Sequence, residues 1–208
     1  AYEISRGLVG SEMCIRDRSE TLPKHEGMYP SPLSPYALHK LIAEQYAALY
    51  TRLYGLETVS LRFFNVFGPR QSPGSQYSGV ISLFTAALLE GRSPTIYGDG
   101  AQTRDFTYVS DVAEGILLSL SAPEASGRAI NLARGGRTSV NSLYAMLQSA
   151  TGVERKAVYK DPRTGDIRDS QADISHARKL LGFEPGVMVE EGLRRTVEWQ
   201  RTQGMQRA

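Results

Sequence analysis

Helix-forming and strand-forming segments alternate along this chain. Ser34 and Pro35 predict a helix start, because Ser caps the first turn and Pro is favoured at the first helical position. Helix-forming residues then continue to Tyr54, and Gly55 predicts the end of the helix. Residues 58–64 are β-branched and aromatic, which predicts a strand buried on both faces.

The same alternation continues towards the C-terminus. Helices are predicted at about 80–90, 110–120, 139–152, 173–181 and 189–203, and strands at 95–97, through 106–109 and at 129–132. Residues 65–70, 98–100, 135–136 and 161–169 are predicted to be turns or loops. Strands that alternate with helices favour an open α/β fold over a sandwich or a bundle.

Charge and apolar content exclude several classes of protein. The 24 Lys and Arg residues nearly balance the 22 Asp and Glu residues and are interspersed with them, which argues against a nucleic-acid-binding surface. The longest apolar run, residues 80–89, is too short to span a bilayer. Cys14, His25, His39 and His176 show no disulfide or metal-site spacing. We therefore expect a cytoplasmic protein with no nucleic-acid, membrane or metal partner.

Residues 1–19 show no sustained period of 2 or 3.6. The stretch from Gly7 to Arg18 resembles a translated sequencing adapter. We therefore predict that residues 1–19 are foreign or unstructured, with a mobile loop as the alternative, and we place no function there.

Tyr36 and Lys40 form the first pair of residues that carries chemistry. Residues four apart lie on one helical face, so the phenol and the ammonium group are expected on the same side. A neighbouring Lys favours the phenolate, which makes the Tyr a usable general acid or base. The alternative is a half-buried Tyr beside a solvated Lys.

Further motifs follow in sequence order. Residues 61–70 read Leu-Arg-Phe-Phe-Asn-Val-Phe-Gly-Pro-Arg, residues 96–100 read Ile-Tyr-Gly-Asp-Gly, residues 103–106 read Thr-Arg-Asp-Phe and residues 165–170 read Gly-Asp-Ile-Arg-Asp-Ser. With residues 34–40, they resemble the extended short-chain dehydrogenase/reductase family, specifically its NAD-dependent nucleotide-sugar epimerases and dehydratases. The resemblance covers about residues 20–199 and is closest to UDP-N-acetylglucosamine and UDP-glucose 4-epimerases.

The resemblance implies a partial Rossmann fold, which is a doubly wound parallel sheet, and a smaller α/β substrate-binding domain. Residues 20–66 and 104–135 would form the C-terminal half of the NAD-binding domain, and residues 67–103 and 136–208 the nucleotide-sugar-binding domain. The sequence contains neither the family's Gly-x-x-Gly-x-x-Gly turn nor the Ser or Thr that orients the catalytic Tyr. We therefore expect an inactive fragment of a longer enzyme.

The resemblance also implies the chemistry. Tyr36 would remove the proton from the sugar 4-hydroxyl, and Lys40 would hold the nicotinamide ribose. Phe63 would complete the residues that contact NAD. A hydride would pass from sugar C4 to NAD⁺ and return on the other face, so that the cofactor ends as NAD⁺.

On the substrate side, the resemblance assigns Asn65 to the diphosphate region and Arg104 and Arg163 to the diphosphate itself. A guanidinium fork suits phosphate oxygens. The alternatives are a loop-capping role for Asn65 and surface ion pairs for the two arginines.

Four more residues are assigned to the substrate in the same way. Val80, Thr95 and Tyr97 would line its pocket, with Tyr97 packing on the uracil, although Tyr97 could instead belong to the strand core. Ser170 lies where a small side chain would leave room for a 2-N-acetyl group, which favours N-acetylated UDP-sugars. An exposed loop serine is the alternative.

We interpret Asp105 and Asp111 as structural residues, one ordering a loop and the other capping a helix. The alternative functions are a nucleotide-sugar 4,6-dehydratase or decarboxylase, or a non-catalytic nucleotide-sugar-binding relative. A homodimer through the Tyr36-bearing helix is also expected, in which Leu41, Ala48 and Leu49 either form the interface or pack on the sheet.

Overall fold

A computed structural model describes residues 7–12, 21–32, 34–71, 79–163 and 167–205 of the chain. In chain order, the described elements are strand β1 (Gly7–Glu12), helix α1 (Pro35–Tyr54), strands β2 (Thr58–Phe63) and β3 (Val66–Phe67), helix α2 (Val80–Leu89), strands β4 (Thr95–Tyr97), β5 (Thr103–Arg104) and β6 (Thr107–Tyr108), helix α3 (Val109–Leu120), strands β7 (Arg128–Leu132) and β8 (Thr138–Ser139), helix α4 (Val140–Thr151), strand β9 (Val158–Lys160), and helices α5 (Ser175–Leu181) and α6 (Val189–Met205). The α/β class expected from the sequence is confirmed.

The predicted ends of α1 are confirmed. The Ser34 hydroxyl accepts a hydrogen bond from the Ala37 N–H at 3.1 Å, which satisfies one of the donors left unpaired in the first turn. Gly55 ends the helix with φ 67°, in the left-handed region that favours glycine, and its N–H donates to the Thr51 carbonyl. Ser139 and Gly152 bound α4 in the same way.

The largest sheet is parallel and has the order β1-β2-β7. Its central strand β2 is buried on both faces, as predicted, because α1 packs on one face and α3 on the other. Residues 1–19 were expected to be foreign or unstructured; of these, residues 7–12 form β1, which pairs with the whole length of β2. This pairing satisfies backbone groups of β2 that would otherwise lie at an open edge. The foreign origin of residues 1–19 remains a prediction, and Cys14 lies outside the described residues.

The remaining strands are short and pair two by two. β3 lies parallel to β6, β4 lies parallel to β9, and β5 runs antiparallel to β8. The strand predicted through 106–109 is confirmed but shorter, because β6 covers only Thr107–Tyr108 and Val109 already begins α3. Buried Asp105 and Phe106 separate β6 from β5. The predicted loop at 65–70 contains β3. Strand β9 was not predicted, because its side chains are exposed and it pairs through the backbone alone.

Two apolar clusters hold these elements together. The first lies on β2 and β7 and includes Leu61, Ile130 and Phe183, with α3 and α5 packed over the sheet. The second lies between α2, α4 and α6 and includes Leu88 and Leu193.

The domain boundaries expected from the sequence remain a prediction. Within the described part of the chain, no helix is both long and apolar enough to cross a membrane.

Gly192 allows α6 to pack closely against the aromatic residues of β3 and β6. A Cβ atom at this position would lie 2.7 Å from Phe67 Cζ and 2.8 Å from Tyr108 Cδ2. We expect Gly192→Ala to lower the free energy of unfolding by about 1–3 kcal/mol, since overpacking outweighs the gain in helix propensity. Urea unfolding measures the change. Gly186→Ala is the control, because its Cβ would meet no atom within 4 Å; equal stability of the two variants would contradict the packing argument.

Candidate functional site

Tyr36 and Lys40 lie together in the opening turns of α1. The Lys40 Nζ is 5.4 Å from the centre of the Tyr36 ring, so the two side chains share one side of the helix, as their spacing predicts. Tyr36 is 42% exposed and is therefore accessible to a ligand. The catalytic roles of this pair remain a prediction.

Polar contacts fix the direction of α1 relative to β2. The Thr58 hydroxyl donates to the Ala47 carbonyl at 2.9 Å, and the Arg62 Nε donates to the Glu44 Oε2 at 2.7 Å. Later helix residues therefore contact earlier strand residues, so α1 runs antiparallel to β2. The turns that carry Tyr36 and Lys40 consequently lie towards the carboxyl end of β2, the edge at which open parallel sheets bind ligands.

Phe63 and Asn65 mark that carboxyl end. Phe63 is the last residue of β2 and is partly buried, and Asn65 is exposed in the loop that follows. The Asn65 carbonyl accepts a hydrogen bond from the Thr107 N–H at 3.3 Å. Its side-chain amide makes no hydrogen bond to the residues that the structure describes, so the loop-capping role is not seen there.

A second feature is an open cleft of about 520 Å³ between β4 and the segment after β9. Its lining includes Tyr97, Asp99, Tyr159, Arg163 and Arg168. Along β4, Ile96 points into the core and is fully buried, whereas Thr95 and Tyr97 alternate away from it and are only partly buried. Tyr97 is therefore a cleft residue, and the alternative that it belongs to the strand core is wrong.

Arg163 lies directly over Tyr97 in this cleft. The carbon at the centre of its guanidinium group is 3.9 Å from the centre of the Tyr97 ring, which is cation–π geometry. A hydrogen bond from Arg163, followed by the positive charge of Arg163, lowers the pKa of Tyr97 below its ordinary value. The cleft thus combines an accessible aromatic ring with a cation.

Arg104 is placed beside this cleft and is not one of its lining residues. Its Nη1 donates to the Thr103 carbonyl at 2.9 Å and to the Arg168 carbonyl at 3.2 Å. The structure therefore brings Tyr97 and Arg163 together and bonds Arg104 to the backbone of Arg168, another residue of the cleft lining. Val80, the first residue of α2, is partly buried and packs against the second apolar cluster.

Ser170 is fully buried, so the alternative of an exposed loop serine is wrong. Its hydroxyl accepts a hydrogen bond from the Asp105 N–H at 3.3 Å, and its own N–H donates to the Thr103 carbonyl at 3.1 Å. Ser170 therefore joins the segment that carries Arg168 to the segment that carries Arg104. In this structure its hydroxyl is engaged inside the protein.

The two aspartates act differently from each other. The Asp105 Oδ2 accepts hydrogen bonds from the N–H groups of Gly135 and Ala172 at 3.1 and 3.0 Å, which orders two loops, as expected. Burial raises the pKa of Asp105 to about 6. Asp111 does not cap α3, because the helix begins before it, at Val109. Its carboxylate instead accepts a hydrogen bond from the Val187 N–H at 3.1 Å.

Sequence reasoning missed Glu44 and Arg62. They form a buried, bidentate ion pair between α1 and β2, with side chains 6% and 4% exposed. The available signal was Arg62 itself, the one charged residue of a strand predicted to be buried on both faces, because a buried charge needs a partner.

The described residues contain no group of three His, Cys, Asp or Glu residues that could hold a metal ion.

The apolar side chains of α1 differ in their exposure. Leu41, Ala48 and Leu49 are partly buried. The large apolar side chains that α1 exposes include Leu38, Ile42, Tyr46, Tyr50 and Leu53. The homodimer remains a prediction, and this second set of residues is the surface available for it.

The chain matches the NAD dependent epimerase/dehydratase family over residues 7–133 and belongs to that family. The resemblance of its motifs to extended short-chain dehydrogenases/reductases is thereby confirmed. Among its relatives is the putative UDP-glucose 4-epimerase of Methanocaldococcus jannaschii, which is 42% identical over 180 residues. That match covers 86% of this chain and 57% of the relative, so the chain spans little more than half of the relative's length.

Two solved structures show the same architecture. The UDP-glucose 4-epimerase of Thermotoga maritima, solved with UDP-glucose, superposes with a TM-score of 0.92 at 37% identity and covers 97% of this chain and 65% of its own. The UDP-N-acetylglucosamine 4-epimerase of Methanobrevibacter ruminantium M1, solved with UDP-N-acetylmuramic acid, gives a TM-score of 0.92 at 38% identity, with 96% and 64% covered. The predicted Rossmann-type fold is confirmed.

Proposed function

We propose that this chain carries the catalytic helix and the substrate-binding part of an NAD-dependent UDP-sugar 4-epimerase. The observation that carries the proposal is the pairing of Tyr36 with Lys40, whose amino group lies 5.4 Å from the centre of the phenol ring on an accessible side of α1. The pair lies towards the carboxyl end of a parallel strand. Family membership supports the same reading.

The residues present fit the ribose end of NAD. The Tyr36 hydroxyl and the Lys40 ammonium are hydrogen-bonding groups on one side of α1, and this arrangement suits a pair of ribose hydroxyls. Phe63, partly buried at the end of β2, offers an apolar contact. NAD⁺, when bound, supplies the acceptor for the hydride at sugar C4. Gly7 and Gly10 lie within β1, so they form no phosphate-binding turn.

The chain's own contribution at the reacting carbon is proton transfer and orientation. Tyr36, as the phenolate, would accept the proton of the sugar 4-hydroxyl and later return it to the same oxygen. The positive charge of Lys40 favours the phenolate form. Asn65, which follows the same strand end as Phe63, would donate its amide N–H groups to the substrate.

The nucleotide part of the substrate is assigned to the cleft at Tyr97 and Arg163. Its volume of about 520 Å³ is within the usual range for a small-molecule site. Because Arg163 lies over one face of the Tyr97 ring, a base is proposed to pack on the part of the ring that Arg163 leaves uncovered. The guanidinium groups of Arg163 and Arg104 suit the diphosphate. The sugar is proposed to be N-acetylated, because Ser170 is small. Since its hydroxyl already binds Asp105, Ser170 would act through its small volume.

The test is an NMR assay of sugar interconversion. The chain is joined to the part of the M. jannaschii relative that it does not match, supplied with NAD⁺, and given UDP-N-acetylglucosamine or UDP-glucose. We expect each sugar to approach equilibrium with its C4 epimer, faster for the N-acetylated one, with no net reduction of NAD⁺. A dehydrated product would indicate a dehydratase, and binding without turnover a non-catalytic relative; either result would overturn the proposal.

A further inference from the structure

A buried ion pair joins the candidate catalytic helix to the central strand. Arg62 of β2 donates to both carboxylate oxygens of Glu44, with Nε 2.7 Å from Oε2 and a second contact between Nη2 and Oε1. Both side chains are almost completely buried. Burying two charges costs desolvation energy, and apolar residues of similar volume often stabilise such a position at least as well. Stability alone therefore explains this pair poorly.

The place of the pair in the helix suggests another role. Glu44 lies one helical turn after Lys40 and two turns after Tyr36, which is about 6 Å and about 12 Å along the helix axis. Glu44 and Ala47 are buried on the side of α1 that faces β2. The contact at Glu44 therefore sets the rotation of α1 about its own axis relative to β2, and with it the orientation of the turns that carry Lys40 and Tyr36.

The guanidinium group also lies close to the segment that leads into α1. The Glu26 carbonyl oxygen is 3.5 Å from Arg62 Nη1, and the Glu26 Oε1 accepts a hydrogen bond from the Asn131 N–H of β7 at 2.7 Å. Arg62 thus lies where the central strand, the helix and the segment before the helix meet. Arg62 is also one residue before Phe63, at the end of the strand.

We propose that Glu44 and Arg62 are positioning residues. Their two-bond contact fixes the rotation of α1 about its axis and its position along that axis relative to β2. It thereby places Tyr36 and Lys40 relative to the strand end that carries Phe63. A planar guanidinium fork can fix both, whereas a lysine would give a single point of attachment. The effect of the ion pair on kcat rests on the proposed epimerase function. Its effect on the placement of α1 against β2 does not.

The kinetic test compares three variants in the joined enzyme described above. Glu44→Leu/Arg62→Met removes the charges and keeps apolar volume, Arg62→Lys keeps the charge and removes the fork, and Glu184→Leu is the control. Glu184 forms a bidentate but exposed pair with Arg178, at 2.8 and 3.1 Å. We expect the first two variants to lose about 10²-fold in kcat with KM changed less than about threefold, and the control to keep its kcat.

Stability and amide hydrogen exchange of the 208-residue chain separate positioning from folding. We expect the double variant to unfold at the same urea concentration as the unmodified chain, because both members of the ion pair are removed together and neither is left buried without the other. Its amides at residues 39–44 should nevertheless exchange about tenfold faster, with those at 47–54 unchanged. If the double variant fails to fold, Arg62→Lys provides the same comparison.

The outcomes distinguish the two proposals. Full kcat in the double variant or in Arg62→Lys would overturn the positioning role. If the unmodified joined enzyme has no epimerase activity, the proposed function fails, and the exchange experiment alone then decides the positioning role. Unchanged exchange at residues 39–44 in both variants would overturn that role as well.

Discussion

Tyr36→Phe is expected to lower kcat for UDP-sugar interconversion by on the order of 10²–10⁴-fold, the usual effect of removing a general acid or base. The substitution deletes only the hydroxyl of a residue that is 42% exposed, so the packing of α1 should not change. The measurement is the initial rate of epimer formation by NMR in the joined enzyme, at saturating sugar nucleotide.

Tyr46→Phe is the matched control for this substitution. Tyr46 lies on the same helix and is 58% exposed, so the same hydroxyl is lost at the same kind of surface. Its kcat should equal that of the unmodified enzyme. Comparable losses in both variants would show that the hydroxyl of Tyr36 has no special role, and an unchanged rate in Tyr36→Phe would remove the proposed proton transfer.

Asp105 is expected to make stability fall as the pH rises. Burial raises its pKa from 3.8 to about 6 in the folded chain, so the folded state holds the proton more tightly than the unfolded state. The contribution of Asp105 is complete below pH 3.8 and is lost as the pH rises through 6. The difference corresponds to about 3 kcal/mol between acid and neutral pH.

Urea unfolding of the unmodified chain and of Asp105→Asn at several pH values isolates this contribution. The amide cannot ionise, and its oxygen can still accept from Gly135 and Ala172. The stability of the unmodified chain relative to the Asn variant should therefore fall by about 3 kcal/mol from pH 3.5 to pH 7. Asp161→Asn, at an exposed position, is the control for the loss of a carboxylate. A constant difference between the unmodified chain and Asp105→Asn would show that Asp105 ionises normally.

The sequence predicted the features that depend on neighbouring residues. Ser34 and Gly55 end α1 as expected, because capping requires only groups within one turn. The shared side of Tyr36 and Lys40 follows from helical periodicity in the same way. The burial of β2 was readable from its unbroken β-branched and aromatic composition.

The missed features depend on residues far apart in the chain. Strand β9 pairs with β4 across some sixty residues and exposes its side chains, so it leaves no apolar pattern. Arg62 indicated that a partner existed, but only the fold identifies Glu44. Arg163 on Tyr97 and the burial of Ser170 likewise arise from the folding of distant segments onto each other.

The contacts between α1 and β2 have a consequence for how the family can be engineered. Residues 34–63 contain their own helix cap and helix stop, and also the bonds Thr58–Ala47 and Arg62–Glu44. Because these contacts are short in sequence, this unit should form early during folding. We also expect that residues 34–63 can replace the corresponding segment of a relative as one continuous piece. Tyr36 and Lys40 should then keep their orientation relative to the strand.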